Sequence, residues 1–326
     1  MKLSFIDKTR KEIWNNFLVD NNGSFLQSFE WGEFQEKFSK KVLRAEIIER
    51  DRILLQAQII KKKLPLKSYF YLPYGPVFNQ KSSLEEKKQA SGLFLDKVQY
   101  LSQKEDAIFL RIEPVVGLFE TSKFNFRDSS KRVQPQKTLF LDLEKSEQEI
   151  FNNFHRGTRY NIKLAKRKDV KIRILDKYSD VFYSLLKGTK KRHGFRSYPE
   201  THYKNLFNIK SKNFKTNLFL AEYKSKVIAA TIVVFFGERA TSLHTGSDYK
   251  YRAVKGPHFL RWKVISEARR RGYKKYDTWG IDEKKWPGLT YFKKGFGGEE
   301  FQYAKGKDVV FQKTWYKIYN LAKKIL

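Results

Sequence analysis

The sequence predicts a mixed α/β (α+β) protein made of two domains of the same architecture, and two observations lead to that prediction. Three strand-like segments, a helix-like segment and a further strand follow one another in the first half of the chain. The same succession returns in the second half. A chain of 326 residues with 40% hydrophobic residues can form a core in each domain. We therefore expect two mixed sheets, each flanked by helices.

The first set of elements begins with strands at 40–49, 52–62 and 67–77, which are rich in β-branched and aromatic residues. Residues 82–103 predict a helix, because their apolar residues can share one face and Ser83 can cap its beginning. A strand at 107–114 ends at its own proline, which disfavours continued pairing.

The second set repeats this order with strands at 216–223, 226–236 and 238–248. The segment 257–272 predicts a helix, with Pro257 suited to its first turn and Gly272 to its carboxyl-terminal cap. A strand at 273–279 follows.

Two further segments predict basic helices. Residues 156–168 combine apolar positions with many lysines and arginines, which indicates a cationic surface helix. Near the end of the chain, Trp315, Ile318, Ala322 and Ile325 have helical spacing. We expect this last helix to pack on its own domain, and contact with an anionic membrane surface is the alternative.

Charge is the strongest compositional signal, since 67 Lys and Arg residues oppose 35 Asp and Glu residues. A net charge of +32 favours polyanionic partners, although a general lysine bias of the surface would give the same total. The chain has no cysteine, no signal-peptide pattern and no apolar run long enough to span a bilayer. We expect a soluble cytoplasmic protein.

Several chemistries lack their motifs. The five histidines are scattered and no carboxylate cluster has ligand spacing, so we expect no metal. The order of elements is that of N-acetyltransferase-like domains, which bind acetyl-CoA through a glycine-rich turn before the central helix. Here a single glycine precedes Pro257, which has no N–H to donate, so we expect no acetyl-CoA and no other cofactor.

Seven segments, in this order, resemble the Fem-type aminoacyltransferases that build peptidoglycan cross-bridges. They are "FLQSFEWGEFQE" (25–36), "YLPYGPV" (71–77), "FLRIEP" (109–114), "QPQKTLFLDL" (134–143), "RGTRYNIKLAKRKDV" (156–170), "HTGSDYKYRAVKGPHFLRWKVISEARRRGYKKYDTWGID" (244–282) and "GLTYFKKGFGGE" (288–299). The resemblance implies transfer of an amino acid from aminoacyl-tRNA to the stem peptide of a lipid-linked or UDP-linked precursor.

The resemblance also implies two N-acetyltransferase-like domains, with the carboxyl-terminal helix returning to the first. We place the first, precursor-binding domain at 1–144 plus 308–326 and the second, aminoacyl-tRNA domain at 145–307. No heptad repeat predicts the long coiled-coil arm that some members carry, so the chain resembles the smaller, armless type.

The resemblance places the reaction centre at 276–299, which we interpret as a glycine-rich loop. It implies that Lys293 stabilises the oxyanion or leaving group and that Phe292 shapes the acyl pocket. We expect Gly295 to Gly298 to allow close backbone approach and Lys294 to face tRNA or water.

For the precursor, the resemblance implies contacts from Arg196 and Tyr198 in the second domain. In the first domain, Gln35 stands where the family has a lysine, and Lys37 is a candidate to replace it. This departure makes a lipid-linked precursor at the inner membrane surface at least as good a candidate as a UDP-linked one. The matching segments add Tyr74, and Glu113 as a partner for the acceptor amine.

For tRNA, the candidates are Lys190, Lys191, Arg192 and Lys294, through contacts with phosphates. Two alternatives remain open: another tRNA-dependent or acyl transferase of this fold, and a basic nucleic-acid-binding protein without catalysis. The sequence does not identify the amino acid, the tRNA or the stem position.

Overall fold

The computed structural model describes residues 1–117, 122–130, 132–194, 196–209 and 211–325. The strands are β1 (Lys2–Phe5), β2 (Val42–Glu49), β3 (Arg52–Lys63), β4 (Ser68–Pro73), β5 (Val77–Phe78), β6 (Ala107–Glu113), β7 (Phe126–Asp128), β8 (Lys137–Asp142), β9 (Lys171–Leu175), β10 (Phe214–Tyr223), β11 (Lys226–Phe236), β12 (Arg239–Ser247), β13 (Lys275–Asp277), β14 (Glu299–Gln302) and β15 (Lys307–Val310). The helices are α1 (Lys11–Asp20), α2 (Phe29–Glu36), α3 (Leu84–Lys104), α4 (Glu147–Asn152), α5 (Arg156–Arg167), α6 (Asp180–His193), α7 (Glu200–Phe207), α8 (Gly256–Arg270), α9 (Pro287–Lys294) and α10 (Lys313–Ile325).

The chain forms two compact units, 1–136 with 303–326 and 137–302. The chain passes from the first unit to the second just before β8, because β8 hydrogen-bonds with β13 and β14 of the second unit. The predicted boundary at 144/145 leaves β8 in the first domain. The chain returns to the first unit at residue 303, before β15, which pairs with β6 and β7 of that unit. The predicted position of this boundary is 307/308.

The first unit contains a sheet in the order β1-β2-β3-β4-β6-β15-β7, with β5 paired to β3. Strands β4 and β6 are parallel, and α3 connects their ends and packs its apolar face on the sheet. The predicted cap is confirmed: Ser83 and Glu86 form a reciprocal capping box at the beginning of α3.

The second unit contains a sheet in the order β14-β8-β13-β12-β11-β10-β9. Strands β12 and β13 are parallel, and α8 joins them as α3 joins β4 and β6. Pro257 lies in the first turn of α8, and Gly272 follows its end with a φ of +83°. The predicted repetition of strands, helix and strand is confirmed.

Helix α10 packs on the first unit through a different face from the predicted one. The rings of Tyr316 and Tyr319 lie 5.2 Å and 5.0 Å from the ring of Phe109. Ile318, which the spacing assigned to the packed stripe, is instead 49% exposed. The tyrosines are favoured because the Tyr316 hydroxyl reaches the buried carboxylate of Asp308 at 2.9 Å, a bond that an aliphatic stripe cannot make.

Among the described helices, none has the length and apolar character needed to cross a bilayer.

Candidate active site

The site in the second unit begins where two parallel strands part. Strands β12 and β13 pair as far as Thr241 and Asp277, after which β12 continues alone beside β11. The chain leaves β13 through Trp279 and Gly280, which have φ values of +57° and +82°. A left-handed tryptophan is costly, so the surrounding structure must hold this turn.

Lys293 holds that turn. Its side chain is buried, and Nζ donates hydrogen bonds to the carbonyl oxygens of Trp279 at 2.7 Å and Gly280 at 2.5 Å. Burial, followed by the nearby charge of Arg261, holds the pKa of Lys293 well below its usual value, while Asp277 opposes the shift. The prediction of a loop here is wrong, because Phe292 and Lys293 lie in helix α9, whose Thr290 and Lys293 are buried.

Asp277 lies at the end of β13 and is fully buried. Its Oδ1 accepts hydrogen bonds from the Thr138 hydroxyl at 2.6 Å and from the Trp279 backbone N–H at 2.8 Å. Its Oδ2 has no hydrogen-bond partner among the described residues. Burial raises the pKa of this carboxyl group.

Phe292 contacts two polar side chains of helix α8. The guanidinium carbon of Arg261 lies 5.0 Å from the Phe292 ring, and the His258 ring lies 4.9 Å from it. Asn161 Nδ2 lies 3.3 Å from Nε2 of His258, so the neutral imidazole carries its proton on Nδ1. Burial lowers the pKa of His258 to about 4, which keeps the ring neutral at physiological pH.

Three buried polar atoms without a hydrogen-bond partner belong to residues that lie near Phe292 or Lys293. Within the described part of the chain, Arg261 Nη1, His258 Nδ1 and Asp277 Oδ2 are buried without hydrogen-bond partners. Such atoms are rare in folded proteins and are expected where a ligand completes the hydrogen bonding. The second unit therefore contains a candidate binding site that presents both positive charge and a carboxylate.

The predicted close approach of the glycines is confirmed. A Cβ atom at Gly295 would lie 2.4 Å from Thr158 Oγ1, and one at Gly298 would lie 2.7 Å from the Phe140 carbonyl oxygen. Gly298 also has a φ of +92°, which other residues rarely adopt. These contacts fix the end of α9 against α5 and β8.

Tyr198 lies near this site and Arg196 is exposed in the same segment. The Tyr198 ring stacks on His202 at 4.0 Å and lies 6.4 Å from His244. Burial, followed by the charge of Lys293, lowers the pKa of His244 to about 4. A chain of aromatic contacts thus connects Tyr198 to the surroundings of Lys293.

The predicted tRNA contacts fall into two environments. Lys190, Lys191 and Arg192 are exposed at the end of α6, where Arg192 also donates to Ser247 O at 3.4 Å. Lys294, by contrast, forms ion pairs with Glu283 at 2.7 Å and Glu300 at 2.5 Å. Two carboxylates already balance its charge, so a contact between Lys294 and tRNA stays a prediction.

Helix α5 is amphipathic, as its sequence predicts. Thr158, Ile162 and Ala165 are buried, while Lys163 and Lys166 are exposed. The amino-terminal end of α5 lies against the end of α9, where the His155 N–H donates to the Gly295 carbonyl at 2.9 Å. A positively charged surface therefore begins next to the candidate binding site around Phe292 and Lys293.

In the first unit, two of the predicted precursor contacts are buried. Glu113 accepts hydrogen bonds from the Tyr71 hydroxyl at 2.9 Å and from the backbone N–H groups of Val133 and Gln134 at 2.5 Å and 2.9 Å. Tyr74 donates its hydroxyl to the Pro135 carbonyl at 2.8 Å. Both side chains hold the segment 133–135, and each carboxylate oxygen of Glu113 already accepts at least one hydrogen bond.

The other two first-unit candidates differ in exposure. Gln35 is buried, and its Oε1 accepts a hydrogen bond from Lys40 Nζ at 2.8 Å. Lys37 is exposed at the carboxyl-terminal end of α2. Lys40, rather than Lys37, is therefore the lysine that lies beside Gln35.

The sequence alone did not identify Asp277, Arg261 and His258 as site residues. Asp277 ends a buried strand and precedes a Thr-Trp-Gly turn, a signal that a polar side chain points towards a turn. Arg261 and His258 carry no comparable signal, because their importance comes from α9 packing beside α8. Among the described residues, no cluster of His, Asp and Glu could hold a metal ion.

Comparison with known proteins gives one family and several relatives. The model of the FemAB family matches residues 119–222 and 209–324. The lipid II:glycine glycyltransferase of Staphylococcus aureus (strain MRSA252) is 24% identical over 222 residues, covering 63% of this chain and 52% of that protein. The chain thus spans about half the length of the curated relatives that it matches.

Solved structures support the fold. The crystal structure of FemX superposes with a TM-score of 0.82 at 17% identity, covering 98% of this chain and 99% of the other. A tandem GNAT protein from the clavulanic acid biosynthesis pathway superposes with a TM-score of 0.58 at 11% identity, covering 95% and 99%. The prediction of two N-acetyltransferase-like domains is confirmed.

Proposed function

Because the chain belongs to the FemAB family, we propose that it transfers an amino acid from aminoacyl-tRNA to the stem peptide of a peptidoglycan precursor. The observation that supports this most is the buried Lys293, which lies among unpaired polar atoms at the point where β12 and β13 part. The name of the staphylococcal relative, a lipid II:glycine glycyltransferase, supports the same chemistry.

The reaction is the aminolysis of an ester. The acceptor amine attacks the ester carbonyl carbon, a C–N bond forms, and the bond from that carbon to the ribose oxygen breaks. The proton that the attacking nitrogen loses ends on the departing ribose hydroxyl, so atoms balance without an oxidant or a cofactor. The enzyme must hold two substrates together and stabilise the negative charge that develops on the carbonyl oxygen.

Lys293 is our candidate for that stabilisation. An ammonium group has three N–H donors, and two of them are used by the carbonyl oxygens of Trp279 and Gly280. The third is left for the developing oxyanion or for the leaving ribose oxygen. Because Nζ is fixed by two bonds, little reorganisation is needed as charge develops.

Phe292 and its neighbours are our candidates for the acyl pocket. The ring of Phe292 supplies an apolar wall, and Arg261 and His258 supply donors at its edge. A neutral His258 with its proton on Nδ1 can donate to a carbonyl or ester oxygen without adding charge. Asp277 partly offsets the effect of burial and of Arg261 on the pKa of Lys293, and so favours the protonated form.

For the precursor, we propose contacts from Arg196 and Tyr198, of which Arg196 is exposed and suited to a diphosphate. In the first unit, we propose Gln35 and Lys37 as contacts and assign Tyr74 and Glu113 to holding the segment 133–135. A lipid-linked precursor would bring a cytoplasmic enzyme into peripheral contact with the inner membrane surface, which we also propose.

For tRNA, we propose that Lys190, Lys191, Arg192 and the exposed face of α5 contact phosphates. Acetyl-CoA is not part of this proposal, since Pro257 removes an N–H from the turn before α8.

The proposal is tested with radiolabelled aminoacyl-tRNA and purified precursor. We expect label in the precursor fraction, and ribonuclease treatment of the tRNA beforehand should abolish it. Label transfer that survives without charged tRNA, or that requires acetyl-CoA, would favour another acyl transferase of this fold.

A further inference from the structure

A basic cavity lies in the first unit, whereas the residues assigned above to catalysis belong to the second unit. It has a volume of about 720 Å³. Its walls come from the segment before β2, the end of β3, the beginning of β4 and helix α10. The lining residues are Phe38, Ser39, Lys40, Lys41, Lys61, Lys62, Lys63, Leu64, Tyr69, Tyr319 and Lys323.

The positive charge of this cavity is only partly balanced. Glu105 forms ion pairs with both Lys41 and Lys61, the latter at 2.9 Å. Lys40 and Lys62 instead act on each other, and none of the described carboxylates forms an ion pair with either. Burial, followed by the charge of Lys40, lowers the pKa of Lys62 to about 8. An anion in the cavity would relieve this repulsion.

Exposed apolar side chains lie on the β3–β4 turn and on α10, and α10 also contributes to the cavity wall. Leu66, in the turn between β3 and β4, is 77% exposed. On α10, Ile318 and Leu321 are 49% and 63% exposed. The β3–β4 turn and α10 are in contact, because Lys67 Nζ lies 5.4 Å from the centre of the Trp315 ring. Lysines surrounding exposed aliphatic side chains are typical of proteins that bind at the membrane interface.

We propose that this surface, formed by the cavity, the β3–β4 turn and α10, docks the protein on a membrane that contains anionic phospholipids. The lysines of the cavity bind lipid phosphate oxygens, and Leu66, Ile318 and Leu321 enter the boundary between headgroups and acyl chains. This inference deepens the peripheral membrane contact proposed above, and it rests on that part of the proposed function.

Membrane is favoured over tRNA as the occupant for a physical reason. Binding of tRNA is stabilised by basic side chains, which contact phosphates, and by exposed aromatic rings, which stack on bases. Exposed leucine and isoleucine side chains do not stabilise contact with a sugar-phosphate backbone. The aromatic residues that line the cavity, Phe38, Tyr69 and Tyr319, are half-buried. The large apolar side chains that are exposed on the β3–β4 turn and on α10 include the aliphatic Leu66, Ile318 and Leu321. Insertion into lipid removes that aliphatic area from water.

The test is sedimentation of the purified full chain with vesicles of phosphatidylcholine alone or mixed with phosphatidylglycerol, without precursor. We expect binding to the mixed vesicles only. Lys62→Gln/Lys63→Gln should weaken it by roughly five-fold per lysine removed. Leu66→Ser/Leu321→Ser should weaken it by roughly ten-fold or more, because less apolar area is inserted.

Matched controls lie on α3 in the same unit. Leu84 is 72% exposed and is followed by two glutamates, so Leu84→Ser should leave vesicle binding unchanged. Lys87→Gln/Lys88→Gln removes the same charge as the test variant and should have little effect. All variants should keep the melting temperature of the parent, which shows that the first unit is folded.

Equal binding of the protein to neutral and to mixed vesicles would overturn the inference. So would equal losses of vesicle binding in the control and test variants. A third contrary result is binding to neutral vesicles that appears only when lipid-linked precursor is added. Loss of tRNA affinity in Lys62→Gln/Lys63→Gln, with vesicle binding intact, would assign the surface to tRNA instead. The leucine variants should still aminoacylate a soluble UDP-linked precursor, so failure of docking and failure of the proposed reaction are separately visible.

Discussion

The ammonium nitrogen of Lys293 lies 2.7 Å from the carbonyl oxygen of Trp279, a residue held in the left-handed region with φ of +57°. A buried lysine and a strained tryptophan each cost free energy, and here they occur in direct contact. Such costs concentrate at functional sites, where a group must be kept in one position. We therefore propose that this contact lies at the centre of the active site.

Replacing Lys293 should separate activity from stability. Lys293→Met removes a buried cation of lowered pKa while keeping an apolar stem, so we expect a folded protein with transfer reduced roughly 100- to 1,000-fold. The measurement is kcat for transfer, beside a thermal unfolding curve. Lys294→Met is the matched control, since the next residue lies in two surface ion pairs. Equal kcat values for the two variants would remove Lys293 from the reaction.

The pH dependence of transfer should reflect the lowered pKa of Lys293. If the protonated ammonium stabilises the oxyanion, kcat falls as pH rises through that pKa, which lies well below the usual value of 10.5. Lys293→Arg should move the fall to higher pH, because a guanidinium stays charged. A kcat that instead rises through this range would show that the neutral amine acts as a base.

Local signals predicted much of the fold, and the exceptions have physical causes. Ser83 and Pro257 mark helix starts through contacts within one turn, which the sequence alone displays. Helix α9 was predicted as a loop because its sequence contains Gly288 and precedes three glycines. It forms because tertiary contacts, such as the hydrogen bonds from Lys293 Nζ to the carbonyl oxygens of Trp279 and Gly280, outweigh those weak propensities.

The candidate site was only partly predictable for a similar reason. The family resemblance picked out Phe292 and Lys293, but Asp277 and Arg261 come near them only after β12 and β13 pair and α9 folds back. Exposure could not be foreseen either. Glu113 and Tyr74 occupy family-like segments yet are buried and bonded to the segment 133–135.

A buried ion pair should stabilise the return of the chain to the first unit. Arg111 donates to Asp308 twice, from Nε at 2.8 Å and from Nη2 at 2.6 Å, and both side chains are buried. Arg111→Met leaves an unpaired buried carboxylate, so we expect a loss of about 3–5 kcal/mol in the free energy of unfolding.

Urea denaturation checks this value. The double variant Arg111→Met/Asp308→Leu should recover most of the loss, because no buried charge is left unpaired. Lys123→Met, which removes one partner of the exposed ion pair with Asp96, is the control and should change little. Similar losses for Arg111→Met and Lys123→Met would contradict this explanation.

Transfer should depend steeply on salt if lysines and arginines hold tRNA phosphates. With about three contacts, the KM for aminoacyl-tRNA should rise at least roughly ten-fold between ~50 and ~200 mM salt. Lys190→Gln/Lys191→Gln should raise KM at low salt and reduce the log–log slope by about 2. The same change at Lys87 and Lys88 on α3 is the control. A KM that stays flat with salt would exclude electrostatic capture of tRNA.

The most direct test of the central claim is the mass of the precursor after incubation with the purified protein and a mixture of charged tRNAs. We expect a product heavier by one or more aminoacyl residues, formed only when the tRNA is charged and lost with Lys293→Met but not with Lys294→Met. An unchanged precursor mass with every charged tRNA, for lipid-linked and UDP-linked forms alike, would contradict it.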